Sequence, residues 1–175
     1  MELIESINVY NGFLKVFKNT YQVGEQTLTR EILERGDSVA ALVYNLDTQL
    51  YYFVSQPRPA TFNKGVDSDN FIEIIAGMID KGETAEQAIV REVEEELGFT
   101  NILYNGKIGE FFLSPGGCTE RLHLFTILVN NENKVETNGV EDESIKTITM
   151  TTEQLRDFVF FDAKTIIAQQ YALKR

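Results

Sequence analysis

Tryptophan is absent from these 175 residues, and cysteine and histidine occur once each, as Cys118 and His123. A single cysteine excludes an internal disulfide and fits a reducing compartment. Proline is scarce, limited to Pro57, Pro59 and Pro115, and no repeat or low-complexity tract is present. No apolar run approaches the roughly 20 residues that span a bilayer. Met1-Glu2-Leu3-Ile4-Glu5 lacks the basic-then-apolar order of a signal peptide. Basic residues are outnumbered, 16 against 27 acidic, for a formal charge of -11. An acidic surface repels phosphate polymers and anionic lipid, so neither nucleic acid nor a membrane is an expected partner. These absences point to the cytoplasm. What the chain does have is 43% hydrophobic residues, enough for one sizeable core and at most a small appendage.

Local signals divide the chain. Residues 1–35 alternate as strands around Asn11-Gly12, a hairpin dipeptide, and read as a small antiparallel meander. So few strands are marginally stable alone, so the piece must pack on residues 36–175 or on a second copy of the chain. Strands are expected at 38–44 and 50–55, with a polar loop over 60–70 and a short strand from Phe71 to Ala76 ending at Gly77. Thr84-x-x-Gln87 is a capping box that opens a helix, and Gly98 closes it. Strands at about 102–113 and 122–129 follow, then a long polar loop over 130–144. A second capping box, Thr151-x-x-Gln154, and Asp162 start two final helices. This order gives an α+β fold with a mixed sheet flanked by helices.

The chemistry concentrates between Gly77 and Phe99. At about 100° per residue, Glu92, Glu95 and Glu96 share one face of the helix, and Ile89, Val93 and Leu97 form an adjacent apolar stripe. Glu94 points to solvent. Clustered like charges cost a helix roughly 0.2–0.5 kcal/mol per pair, and anions near its C-terminal end oppose the macrodipole. A cation reverses both penalties, and oxygen-only ligands select Mg²⁺ or Mn²⁺. Ala85 and Ala88 leave room for a ligand on that face. Gly77 permits close backbone packing and leaves the Ala76 carbonyl as a further ligand. A merely solvated acidic face would also accommodate these acids, and the longer spacing separates the two readings. The residues follow G-x5-E-x7-R-E-U-x-E-E-x-G-U, where U is bulky and apolar. One window matches this by chance on the order of 10⁻⁸ of the time.

That segment resembles the box of the Nudix hydrolases at every specified position. Pro115, sixteen residues beyond Phe99, resembles the downstream proline of the ADP-ribose and nucleoside-diphosphate-sugar pyrophosphatase branch. Gln56-Pro57-Arg58-Pro59-Ala60-Thr61 and Glu34-Arg35-Gly36 are similar to its N-terminal half. Gly139-Val-Glu141-Asp-Glu143 resembles its acidic loop. The wording of that loop and around Pro115 resembles GDP-mannose hydrolases more than ADP-ribose hydrolases.

The resemblance implies a Nudix-type α/β/α sandwich with an N-terminal meander that dimerises by exchanging strands. It implies hydrolysis of the pyrophosphate of a nucleoside diphosphate derivative, giving a nucleoside monophosphate and a sugar phosphate. Ala76, Glu92, Glu95 and Glu96 would hold Mg²⁺, more than one ion. Glu83 and Arg91 would support those ligands. Glu143 would accept the water proton, with Glu141 in reserve. Arg58 would meet the substrate phosphate, and Arg30 would reach substrate across a dimer interface, with Pro115 lining the site. Two other classes stay in view. A non-catalytic nucleotide-binding module would lose box carboxylates, and none is lost. A hydrolase of damaged nucleoside triphosphates would not need the Pro115 spacing or the meander. His123, in an apolar run, reads as a satisfied strand histidine, and Cys118 has no base to activate it.

Overall fold

A computed structural model describes residues 1–135 and 145–174. The chain divides into two compact units, Met1–Asp37 with Phe111–Leu122, and Ser38–Glu110 with His123–Arg175. The first unit thus takes in a segment that the sequence reading assigns to residues 36–175.

The first unit is built on β1 (Glu2–Asn11), β2 (Lys15–Val23) and β3 (Gln26–Glu34), an antiparallel sheet in the order β1-β2-β3. Asn11 pairs with Lys15, so the first turn is the three-residue Gly12-Phe13-Leu14 rather than a tight Asn-Gly loop. The two-residue turn is Gly24-Glu25, with Gly24 at φ 61°. That is the mirror-image turn which opens on glycine and matches strand twist. Leu33 donates to the Gly117 carbonyl (2.8 Å) and accepts from Thr119 N–H (3.1 Å). These bonds, with the Arg121–Asp37 ion pair at 2.6 Å, stitch the loop carrying Pro115 and Cys118 to the end of β3.

The second unit is a seven-stranded sheet. Its main path is β10 (Lys146–Met150), β5 (Leu50–Gln56), β4 (Ser38–Asn45), β9 (Arg121–Val129) and β8 (Ile102–Phe112). It carries α1 (Ala85–Leu97), α2 (Thr152–Asp157) and α3 (Ala163–Leu173). Strand alternation sends Val39, Ala41 and Val43 of β4 into an apolar cluster with Ile89, Val93 and Leu97 of α1. Ala40 and Leu42, on the other face, are buried as well, and there Phe53 stacks on Phe160 at 5.2 Å. A sheet buried on both faces is the α+β layering expected. β10 was not foreseen, because this edge strand buries only Met150 and its pattern merges with the polar loop before it.

The expected single strand from Phe71 to Ala76 is two strands, β6 (Phe71–Glu73) and β7 (Ile75–Met78). β4 and β5 pair directly only over 43–45 and 50–52. Beyond that they part. β6 runs in along β5, from Phe71 opposite Gln56 to Glu73 opposite Val54. The chain reverses at Ile74, and β7 runs back along β4 from Ile75 opposite Ala41 to Met78 opposite Ser38. Gly77 therefore lies inside a strand, not beyond its end. The wedge leaves Phe71 and the end of β5 on one side of the opening, and Gly77 and Met78 on the other.

Candidate active site

The helix α1 is set by its ends. Thr84 Oγ1 accepts from Gln87 N–H at 3.2 Å, and Gln87 Oε1 accepts from Thr84 N–H at 2.9 Å. Gly98 stops the helix at φ 73° and donates to the Glu94 carbonyl. The apolar stripe then fixes rotation, which decides how deep each acid lies. Glu92 is 12% exposed and Glu95 49%, and Glu96 is 9% exposed. Glu94 faces solvent as expected.

Glu92 lies on the backbone of Gly77. A Cβ on that glycine would fall 1.9 Å from Glu92 Oε1, so only glycine leaves the carboxylate its place. Ala76 is the preceding residue of β7, opposite Ala40. Ala88 is fully buried in the apolar cluster, and Ala85 packs against it. The expectation that these alanines leave room for a ligand is therefore corrected. They turn toward the core, and their small size lets the helix approach the sheet.

Arg91 organises the acids. Its Nε and Nη2 meet the two oxygens of Glu83 at 3.0 Å each, and Nη2 also donates to the Met78 carbonyl at 3.0 Å. Nη1 donates to Glu92 at 2.7 Å and to Glu95 at 3.1 Å. One guanidinium thus links the turn before α1, the strand β7 and the helix face. The hydrogen bonds from Arg91, and then the Asp80 N–H, hold the Glu83 carboxyl below the usual glutamate range. Glu92 is pushed up, first by burial and then by the charges of Glu95 and Glu83, with Arg91 opposing. Arg91 itself is held more firmly protonated by Glu83.

The donor set suits a hard cation. It is all oxygen, it includes a deeply placed carboxylate that prefers neutralisation, and Gly77 makes a cradle for that carboxylate. Among the described residues no three acidic, histidine or cysteine side chains already converge on one point, since Glu92 and Glu95 turn toward Arg91. Arg91 takes one oxygen of each, Glu92 Oε1 and Glu95 Oε2, which leaves the other oxygen of each acid for an ion.

Across the opening, Arg58 follows the end of β5. Its Nε donates to Glu73 Oε1 at 2.6 Å. Glu73 was not singled out in the sequence, although an acid between Ile72 and Ile74 was the available signal. Arg30 is on β3 opposite Asn19, where its Nη1 donates to the Thr29 carbonyl, and Pro115 is in the loop joined to β3. Both belong to the first unit. Glu141 and Glu143 fall outside the described residues. His123, on β9, is buried with Nδ1 3.5 Å from Glu110, which fits a strand histidine. Cys118 is half-buried.

Comparison with known proteins adds an independent line. The model of the NUDIX domain matches residues 34–170. The GDP-mannose pyrophosphatase of Cronobacter sakazakii is 35% identical over 147 residues, covering 81% of this chain and 76% of that protein. The GDP-mannose pyrophosphatase of Yersinia enterocolitica is 31% identical over 182 residues, covering 98% and 94%. A crystal structure of an ADP compounds hydrolase superposes with a TM-score of 0.78 at 13% identity, covering 98% of this chain and 91% of that one. At that identity the likeness speaks for the fold alone.

Proposed function

We infer the activity from one premise, that this chain belongs to the NUDIX domain family and is a Nudix hydrolase. The reading that fits best is hydrolysis of the pyrophosphate bridge of a nucleoside diphosphate sugar of the GDP-mannose type. The observation that carries it is Glu92 seated on Gly77 and gripped by Arg91 at 2.7 Å. Arg91 meets only one oxygen of Glu92, and burial with the charges of Glu95 and Glu83 still pushes that carboxyl up, a crowding that a divalent cation would relieve.

On this reading the Glu92, Glu95 and Glu96 carboxylates and the Ala76 carbonyl hold Mg²⁺, with Mn²⁺ as a substitute. Bound Mg²⁺ supplies Lewis acidity toward the phosphate oxygens. Arg91 keeps Glu92 and Glu95 oriented, and Glu83 keeps Arg91 in place. Arg58 binds a substrate phosphate across the opening. Water attacks one phosphorus, its proton passes to Glu143 or to Glu141, and the bridging P–O bond breaks. The products are a nucleoside monophosphate and a sugar phosphate.

A homodimer built on residues 1–35 belongs to the same proposal. Every residue of β1 is exposed, Leu3, Ile4, Ile7, Val9 and Tyr10 among them, and an uncovered apolar edge strand calls for a partner. Sedimentation at micromolar concentration should show two chains per particle.

The decisive experiment measures turnover of GDP-mannose, ADP-ribose, UDP-glucose and dGTP, with Mg²⁺ and with EDTA. Preferred, Mg²⁺-dependent turnover of GDP-mannose is expected. Turnover that survives EDTA removes the metal, preferred turnover of dGTP removes the substrate class, and no turnover of any compound returns the chain to a binding role.

A further inference from the structure

Among the described residues of the second unit, the most deeply buried acid is outside the box. Glu73 is 3% exposed, and both of its oxygens are in use. Oε1 accepts from Arg58 Nε at 2.6 Å, from Arg58 Nη2 at 2.5 Å and from Gln56 Nε2 at 3.1 Å. Oε2 accepts from Lys164 Nζ, which also pairs with Asp162 at 3.0 Å. Asp162 is the cap of α3, where it accepts from the Thr165 N–H at 3.0 Å. Charges therefore alternate along a line, Asp162, Lys164, Glu73, Arg58, from a helix start to the mouth of the wedge. Exposure falls from Asp162 at 15% through Lys164 at 12% to Glu73 at 3%, and Arg58, at 42%, is the one member that reaches solvent.

Glu73 is thus buried and ion-paired through both oxygens, an arrangement for holding the basic groups around it rather than for reacting. Its contacts fall on the Nε and Nη2 edge of Arg58. The Nη1 of Arg58 meets no partner among the described residues, and the side chain as a whole is 42% exposed. Arginine carries a planar fork on a long, freely rotating stem. A fork held by one edge presents the other in a single orientation, which is the preorganisation a phosphate-binding group needs. Lys164 matters for charge. By taking the second oxygen of Glu73 it draws on the same negative charge, so the guanidinium is oriented without being fully neutralised.

We propose that Glu73, supported by Lys164, is a positioning residue that fixes the free edge of Arg58 toward a substrate phosphate. The inference rests on the reading of Arg58 as the phosphate-binding cation. It makes α3 part of the substrate site although no residue of α3 touches substrate.

The test is a mutant cycle read in KM and kcat for GDP-mannose with Mg²⁺. Arg58→Ala should raise KM by about 10-fold or more, and Glu73→Gln should raise it comparably with kcat within a few-fold of the parent. In the Arg58→Ala background, Glu73→Gln should add nothing to KM, because the group it acts through is gone. Additive effects, or an unchanged KM in Glu73→Gln beside a raised one in Arg58→Ala, overturn the positioning role while leaving Arg58 as the phosphate ligand. An unchanged KM in Arg58→Ala overturns the underlying reading instead. If Glu73→Gln does not yield folded protein, Lys164→Met decides. It concentrates the charge of Glu73 on Arg58, so KM should rise with kcat retained, and an unchanged KM rejects the proposal.

Discussion

Arg91 and Glu83 face each other through two parallel bonds of 3.0 Å, Nε to Oε1 and Nη2 to Oε2. The pair joins the turn before α1 to the helix, and the remaining donors of Arg91 fall on Glu92, Glu95 and the Met78 carbonyl. Lysine keeps the charge but cannot make the fork. Arg91→Lys should therefore lower turnover by roughly 10–100-fold, and it should also lower the melting temperature. Steady-state rates and a thermal melt check both.

The same pair sets an acid limit. The folded protein holds Glu83 below the usual glutamate range, so the ion pair's contribution to stability is fully present above that range. It is lost as pH falls through the lowered value. Melting temperatures of the parent and of Glu83→Gln should differ at neutral pH and converge toward the acid end. A constant gap would contradict the assignment.

Gly77→Ala separates stability from function. Its Cβ would lie 1.9 Å from a Glu92 carboxylate oxygen, and the group that must yield is the end of a flexible side chain. The melting temperature should stay near that of the parent. Activity should fall by roughly 100-fold or more, because a misplacement of about 1 Å is enough for that loss.

Glu92→Gln tests the cation. Burial and neighbouring carboxylates make the fold prefer a neutral group at this position. In EDTA at neutral pH the variant should melt no lower than the parent. Added Mg²⁺ should raise the parent's melting temperature by mass action and leave that of the variant nearly unchanged. Equal shifts in both proteins would remove Glu92 from the ligand set.

Ala88→Leu tests where the small residues of α1 face. The side chain is fully buried among Ile89, Val93, Phe99 and the β4 residues. Extra volume there should cost about 1–3 kcal/mol by overpacking, measured by denaturant unfolding. A neutral substitution would place Ala88 on an open face after all.

The helix α1 was legible almost completely. Thr84 and Gly98 mark its ends by local hydrogen bonding and by a positive φ, and the spacing of Ile89, Val93 and Leu97 sets its buried side. The acids' shared face follows from the same 3.6-residue period. Ala88 was misjudged because periodicity places it near both the acidic arc and the apolar stripe, and only the packed sheet shows which boundary it falls on. The split of Phe71–Met78 was hidden for a related reason. Every residue there suits a strand, and the reversal at Ile74 depends on β4 and β5 parting to accept one arm each.

Sequence alone determined the family, the shared acidic face of the box helix and its precise ends, since each depends on residues within a few turns of one another. Tertiary structure decided the rest: that Glu92 rests on Gly77, that one arginine holds Glu83, Glu92 and Glu95, and that Glu73 ties Arg58 to Lys164. Those partners are separated by 15 and 91 residues. Local propensity carries no information at such distances, and only the pairing of strands and the docking of α3 brings the charges within bonding reach.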